Sequence, residues 1–276
     1  MKSRGCAIGM LMAIAFGAGA CLTINHYRND IYIRFPKFGN RRDNVDSVLA
    51  DMKSWNVITR MDSAIKARDI CRERFDVRLI ASLVESLSDE NQVVRREAAS
   101  GLSRLASISS VMAVPALAQS ALEGETDVAA LSIRALSKYG ISAKPALPKL
   151  LRIMDHPPNL EVVNTSNQSR ISVVEPLVNI AGDEPHLIIE PLKRHAKDTD
   201  PWFALSVNFA LLQLNSKDRE AETNVINALA DHTDLRYEAF QLLLRANSSP
   251  RIDDAISSAT ATGDADYKRL LSEHNL

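Results

Sequence analysis

Apolar residues recur at helical spacing from residue 45 onward, and this spacing itself repeats along the chain. The segment "VVRREAASGLSRLA" begins at Val93, and "DVAALSIRALSKYG" follows thirty-four residues later with apolar and small residues at matching places. The pattern also survives a shift of 109 residues, and a fifth unit fits once one residue is deleted from its turn. The matching apolar positions in three of these units are Leu83, Val94, Leu102 and Leu105; Leu117, Val128, Leu136 and Tyr139; and Leu192, Phe203, Leu211 and Leu214. The repetition predicts a stack of similar helical units.

The pattern of residues in each unit predicts two helices, A and B, joined by a polar turn. Pro115 and Pro145 are expected at the first residue of helix A, where a missing N–H is tolerated. An aspartate in "DENQVVR" and in "DTDPWFA" is expected to cap helix B by accepting hydrogen bonds from its first N–H groups. A single pair cannot bury its own apolar face, so each unit must pack on the next. No stretch alternates apolar and polar residues for long enough to predict a sheet, so the expected fold class is all-α.

The turn and second helix of one unit resemble a HEAT repeat, a relative of the armadillo repeat. The residues that carry the resemblance are Asp89, Asn91, Val94, Arg95, Ala98, Ala99 and Leu102. It covers residues 77–250, with a weaker version from Val45 to Arg72, and it implies a right-handed α-α superhelix. Residues 198–214 match the family's aspartate turn but carry Ala204 where the HEAT pattern has arginine. The resemblance implies a scaffold that binds partners along a curved surface, since only a minority of HEAT proteins are enzymes.

The N-terminal segment differs from everything after it. Lys2 and Arg4 precede an uncharged run from Cys6 to Ile24, which is typical of a signal peptide or a membrane anchor. The small residues 18–20 before Cys21 make this cysteine a candidate for lipidation in a bacterial lipoprotein. Cleavage before Cys21 without lipidation is an alternative. An uncleaved anchor is a third interpretation, because the run is just long enough to span a bilayer.

These interpretations place the protein in different compartments. Lipidation or cleavage puts the folded part on the periplasmic side of a bacterial envelope, which the small residues 18–20 favour. An uncleaved anchor makes the protein a cytoplasm-facing adaptor, because basic residues accumulate between Arg28 and Arg42. The predicted organisation is a signal peptide or anchor (1–21), a basic and aromatic juxtamembrane linker (22–44), about five to six HEAT-like repeats (45–250) and C-terminal capping helices (251–276).

Composition and motifs point away from catalysis. With 33 basic and 34 acidic residues, the net charge of −1 provides no overall basic field for nucleic acid. No HExxH, CxxC, phosphate-loop or nucleophile-elbow motif occurs, so no catalytic residue, metal or cofactor is predicted. His195 with Asp198 and Asp200 is a weak metal candidate, because aspartates in this turn are already expected as caps. The alternative is an enzyme built on HEAT repeats, of the lyase or nucleic-acid repair type, with its site in the groove.

One polar position near the end of helix B precedes a core position in every unit, so its side chain is expected to point away from the core. The five residues at this position are Arg104, Lys138, Asn179, Gln213 and Arg245. In HEAT solenoids the second helices line the concave side, where such donors can bind an acidic or extended protein partner. The other interpretation is that these side chains are only solvated. The protein itself is expected to be a monomer.

One unit departs from the repeat. The segment from Asp155 to Arg170 adds about eleven residues to the spacing seen elsewhere. Pro176 then falls inside the predicted helix B, so that helix is expected to be kinked or to start late. The insertion either carries contacts to a partner or has no role in binding.

Overall fold

A computed structural model describes residues 23–27, 30–34, 44–156, 163–231 and 234–274, with side chains described in 44–106, 112–156, 170–231 and 234–274. The chain divides into two compact units, residues 1–42 and 43–276. In the first unit, strands β1 (Thr23–Tyr27) and β2 (Asp30–Arg34) form an antiparallel hairpin. No strand was predicted in this segment, and β2 contains the β-branched and aromatic run "IYI", residue types that favour strands. The predicted anchor, its expected hydrophobic helix and Cys21 lie outside the described residues.

In the described residues of the second unit, all regular secondary structure is helical. Its helices are α1 (Val45–Asp51), α2 (Val57–Glu73), α3 (Val77–Glu85), α4 (Gln92–Arg104), α5 (Ala106–Glu123), α6 (Thr126–Tyr139), α7 (Leu147–Asp155), α8 (Val163–Ala181), α9 (His186–Lys193), α10 (Pro201–Leu214), α11 (Arg219–Asn227), α12 (Leu235–Arg245), α13 (Pro250–Ala261) and α14 (Ala265–His274). Short 3-10 segments follow α3, α6 and α11. Odd-numbered helices are the A helices and even-numbered helices the B helices of successive pairs.

The pairs stack in chain order. The B helices from α2 to α12 each contact the next B helix, so they form one continuous layer. The twelve apolar positions matched in the sequence are all buried except Leu214, which is half-buried. This confirms the predicted helical solenoid and its repeat. The pairing also continues through α13 and α14, where the sequence predicts capping helices.

One of the two predicted aspartate caps is observed and the other is not. Asp200 caps α10 as expected, because its carboxylate accepts hydrogen bonds from the N–H groups of Trp202 and Phe203 at 2.9 and 3.1 Å. At α4 the cap is Asn91, whose side chain accepts from the Val93 amide, so the expected aspartate cap is wrong there. The Asp89 carboxylate instead accepts hydrogen bonds from the Arg60 guanidinium, and Asn91, directly before the first helical residue, is the cap.

The prolines also depart from expectation. Pro115 lies inside α5, because the apolar residues that precede it start the helix at Ala106. Pro145 lies in the 3-10 segment Gly140–Ala146 that precedes α7. Neither is the first residue of an α-helix, so that prediction is wrong. Pro176 lies inside α8, which starts early, at Val163, rather than late.

Buried and half-buried arginines connect the turns of successive pairs. Arg60 on α2 is 7% exposed, and its guanidinium donates to the carbonyls of Ser54 and Trp55 at 2.8 and 3.2 Å. The other edge of the guanidinium donates to both oxygens of Asp89 in the next turn, at 2.7 and 2.9 Å. This fork geometry gives a two-point ion pair between neighbouring pairs.

The same arrangement recurs one unit later. Arg95 on α4 donates to the carbonyls of Asp89 and Glu90 and forms an ion pair with Glu125 of the following turn. Arg170 on α8 makes a similar link to Asp198 at 2.5 Å. The arginine of the HEAT resemblance therefore has a structural role, which is to join adjacent turns.

Candidate protein-binding surface

The five polar residues predicted to point away from the core, which we call the ladder, are all exposed at the ends of B helices. Each lies in the last turn of its helix, on the face of the layer that we call the B-helix face. The residues are Arg104 on α4, Lys138 on α6, Asn179 on α8, Gln213 on α10 and Arg245 on α12. The following residues Leu105, Tyr139 and Ile180 are buried, whereas Leu214 and Ala246 are half-buried. The orientation predicted from the core pattern is therefore observed.

The first of two depressions on this face lies between α6 and α8. Its volume is about 490 Å³. Arg134 and Lys138 line it from α6, and Glu175 and Pro176 line it from α8. Asn179 stands beside it and donates to the Ser137 hydroxyl at 2.9 Å. The depression therefore joins two helices of successive pairs and contains both signs of charge.

The second depression is smaller, about 180 Å³, and spans α8, α10 and α12. Val174, Phe209 and Leu242 contribute apolar surface to its lining and are each almost fully buried. The ladder residues Gln213 and Arg245 lie at its edge. The Arg245 guanidinium lies 5.7 Å from the centre of the Phe209 ring, within the range of a cation–π contact.

Several charges on the B-helix face form no ion pair. Among the described residues, Arg104, Arg134 and Lys138 have no carboxylate within ion-pairing distance, and neither Glu175 nor Glu238 has a basic partner. On the A helix α9, by contrast, Lys193 forms an ion pair with Glu190 at 3.3 Å. Unpaired exposed charges keep their hydrogen-bonding capacity for a partner.

The sequence missed the residues one helical turn before the ladder. Arg134, Glu175 and Phe209 each precede a ladder residue by four positions, and all three line a depression. Residues four apart lie on one face of a helix, so extending the ladder by one turn identifies them. Glu238 lies seven positions before Arg245, which is about two helical turns along the same face.

The weak metal candidate takes part in an ion-pair network instead. His195 Nε2 lies 2.8 Å from Asp155, and its Nδ1 lies 3.6 Å from Asp198. Burial alone would raise the pKa of Asp198, but hydrogen bonds from Arg170 and the Asp200 amide outweigh it and hold the pKa below its ordinary value. Within the described residues, no three His, Cys, Asp or Glu side chains are placed to hold a metal ion. This network joins the last residue of α7 and Arg170 on α8 to the turn that follows α9.

Cys71 is a buried free cysteine on α2. Burial raises the pKa of its thiol above the ordinary value, which disfavours the reactive thiolate. Among the helices in the described ranges, none is both long and apolar enough to cross a bilayer.

Comparison with known proteins agrees with the helical repeat. A family model described as HEAT repeats matches residues 79–169. No curated protein matches the chain. The CpcE–CpcF complex of phycocyanin lyase from Nostoc has a chain that is 17% identical, with a TM-score of 0.51, over 87% of this chain and 97% of that one.

A second solved structure, YibA of Escherichia coli, is 19% identical with a TM-score of 0.48 and covers 83% of this chain and 85% of its own. At these identities the likeness concerns the fold. The matched repeats at 79–169 lie within a longer stack of helix pairs of the same kind. Residues 79–169 are therefore HEAT repeats within this helical stack.

Proposed function

We propose that this protein is a non-catalytic scaffold that binds a protein partner along its B-helix face. The observation that carries the proposal is the row of five exposed ladder residues beside two depressions that together extend from α6 to α12. A surface of this length suits a macromolecular partner better than a small ligand, because the depressions are shallow and distributed over several helices.

The charges of this face favour recognition by complementarity. Exposed ion pairs contribute little to folding, so unpaired Arg104, Arg134 and Lys138 are not required for the solenoid. In a complex, the same groups can form charge-assisted hydrogen bonds to carboxylates, which are stronger than neutral ones. The solved structure with the similar fold is named as a complex of two proteins, CpcE and CpcF. That parallel supports testing a protein partner first.

We further propose that the scaffold is anchored at a bacterial membrane through residues 1–21, with Cys21 as the lipidation site and the repeats on the periplasmic side. The support is the basic start, the apolar run and the small residues before Cys21. Anchoring would hold the B-helix face within reach of envelope proteins.

The test of binding is capture of partners from envelope extract by the wild-type chain and by the triple variant Arg104→Glu, Lys138→Glu and Arg245→Glu. Quantitative mass spectrometry compares what each retains. The variant should keep its melting temperature within a few degrees, because exposed substitutions usually change stability by less than about 0.5 kcal/mol. Partner recovery should fall, and the loss should deepen at low salt, where exposed charges are least screened.

A matched control carries the same charge change on the other side of the solenoid. Arg152, Lys193 and Lys217 are exposed and lie outside the B-helix face, so their replacement by glutamate should leave recovery unchanged. Equal recovery by the wild type and the first triple variant would contradict the proposal. Equal losses in both variants would show that net charge, and not this surface, controls recovery.

A further inference from the structure

The turn that joins the first two helix pairs exposes apolar side chains at its tip. We call residues 72–77 the α2–α3 turn; Phe75 lies in its middle and Val77 begins α3. Their side chains are 62% and 48% exposed. Two such side chains supply too little apolar area for the centre of a stable protein interface, which buries about 800 Å² on each side. They are better suited to a lipid surface, where aromatic side chains favour the level of the headgroups.

Basic residues flank this apolar tip. Arg72 and Arg74 are exposed, and neither forms an ion pair with another residue in the described part of the chain. Glu73 is exposed between them, whereas Asp76 is paired with Arg78 at 3.0 Å. Two arginines and one carboxylate are therefore left to interact outside the protein. Guanidinium groups bind phosphates through charge-assisted hydrogen bonds, and an anionic leaflet attracts basic residues near its surface.

The helical unit begins beside this same turn. The guanidinium of Arg78 lies 2.9 Å from the carboxylate of Asp46, which is in the first turn of α1. The chain therefore enters the helical unit next to the α2–α3 turn. Only residues 22–44 separate the proposed anchor from α1. Such a tether keeps this edge near the bilayer at a high effective concentration, so a weak lipid contact is sufficient.

The opposite end of α2 suits an anionic membrane less well. Trp55 lies just before α2 and is 89% exposed, about 25 Å from the α2–α3 turn because α2 has 17 residues. Glu90 lies beside Trp55, since Arg60 donates to the Trp55 carbonyl at 3.2 Å and to the Glu90 carboxylate at 3.0 Å. The Glu90 side chain is 82% exposed, and an anionic leaflet repels it.

We propose that the α2–α3 turn contacts the surface of an anionic bilayer. Phe75 and Val77 enter the headgroup region, and the guanidinium groups of Arg72 and Arg74 donate hydrogen bonds to lipid phosphates. The end of α2 that carries Trp55 lies farther from the lipid. The inference rests on the proposed membrane anchor and identifies the turn through which the helical unit meets the membrane.

The first test compares two forms of the full chain that each contain one tryptophan. The first form combines Phe75→Trp with Trp55→Phe and Trp202→Phe, and the second carries only Trp202→Phe and so retains Trp55. Both are reconstituted with vesicles of phosphatidylglycerol and phosphatidylcholine brominated near the headgroup, because bromine quenches the fluorescence of tryptophan in the bilayer. The tryptophan introduced by Phe75→Trp should be quenched at least ~3-fold more than Trp55, because only the α2–α3 turn reaches the lipid.

The second test reverses the two flanking charges in the Phe75→Trp form. Arg72→Glu and Arg74→Glu should reduce its quenching by at least ~half, because the turn loses its attraction to the anionic lipid. The control variant combines Lys53→Glu and Lys193→Glu, exposed positions at or just beyond the ends of A helices, on the other edge of the stack. It makes the same change in net charge and should leave the quenching unchanged. Circular dichroism of each form checks that the helices are retained.

Equal quenching of the two tryptophans, stronger quenching of Trp55, or quenching that Arg72→Glu and Arg74→Glu leave unchanged would each overturn the inference. Flotation of the wild-type chain with the vesicles separates this failure from that of the anchor. A chain that floats but shows equal quenching keeps the anchor and refutes contact through the α2–α3 turn. A chain that does not float contradicts the anchor and the inference together. Partner capture by the ladder triple variant tests the B-helix face independently of both.

Discussion

Removal of the Asp89 carboxylate should open the first helix pairs locally. Asp89 is the two-point partner of Arg60, with contacts of 2.7 and 2.9 Å, and the two side chains are only 12% and 8% exposed. Breaking a buried pair by removing one partner typically costs about 3–5 kcal/mol, because the other charge is left without compensation. Glu90 still contacts Arg60 at 3.0 Å, but its side chain is 82% exposed and offsets little.

For Asp89→Ala we therefore expect a loss near the lower bound, about 3 kcal/mol. Hydrogen exchange with mass spectrometry measures it locally. At about 1.4 kcal/mol per tenfold, the slowest amides of α2 should exchange roughly a hundredfold faster. Amides of α12 should be unaffected, because each repeat depends mainly on its neighbours.

A second substitution separates loss of the pair from loss of one side chain. Adding Arg60→Met to Asp89→Ala removes the orphaned cation and should recover about 1–2 kcal/mol, because an apolar replacement of a buried pair is often close to neutral. The two changes are then not additive. If Arg60→Met makes the Asp89→Ala protein less stable still, the buried-charge argument is wrong.

The control uses an ion pair of similar length on the surface. Arg78 and Asp46 are 2.9 Å apart but 56% and 72% exposed. Asp46→Ala should leave the exchange rates of α2 within a factor of about two. Exchange of α2 that changes by less than about threefold in Asp89→Ala would refute the claim that this pair joins the first turns.

Three other predictions follow from separate features. Leu102→Ala should destabilise the protein by about 2–5 kcal/mol in urea denaturation, because Leu102 is fully buried; a loss below about 0.5 kcal/mol would mean that the repeat was aligned wrongly. The pKa of Asp198 is lowered in the folded protein, so its ionised form contributes stability that is present above the unfolded pKa, near 3.9, and is lost as the pH falls through the folded pKa. Below about pH 4, the free energy of unfolding should therefore fall more steeply with decreasing pH for the wild type than for Asp198→Asn. If Cys21 is lipidated, Cys21→Ser should leave an unprocessed precursor and abolish fatty-acid labelling; unchanged labelling would contradict lipidation.

The core was predictable because periodicity is local. The spacing that places Leu83, Val94 and Leu102 on one side of their helices is visible in a single unit, and repetition confirms it. Contacts between units then bury the same positions in each pair. Leu214 is the exception, half-buried near the end of its helix.

The turns were harder because their roles depend on distant residues. Asp89 is of a residue type that often caps helices, but its carboxylate pairs with Arg60, twenty-nine positions earlier. Asn91 caps the helix instead. No local rule reveals that competition. Pro115 was misplaced for a different reason: a residue that is favourable at the first position of a helix does not prevent the helix from starting earlier, here at Ala106.

The sequence predicted that the ladder side chains point away from the core, but not which charges on that face lack an ion-pair partner. Ladder residues such as Lys138 follow from the core pattern, because a residue just before a buried one points elsewhere. Which of the charges remain unpaired depends on side chains from two or three helices, as at Glu175 between the depressions. The sequence alone cannot supply that information.

The most direct test of the scaffold is photo-crosslinking in intact cells from the two sides of the solenoid. The crosslinking amino acid benzoylphenylalanine is placed either at residue 179 on the B-helix face or at residue 190 on α9, where Asn179 and Glu190 are both exposed. We predict a discrete protein adduct after irradiation from residue 179 that is absent from residue 190. Adducts only from residue 190, or the same adducts from both positions, would contradict binding through the B-helix face.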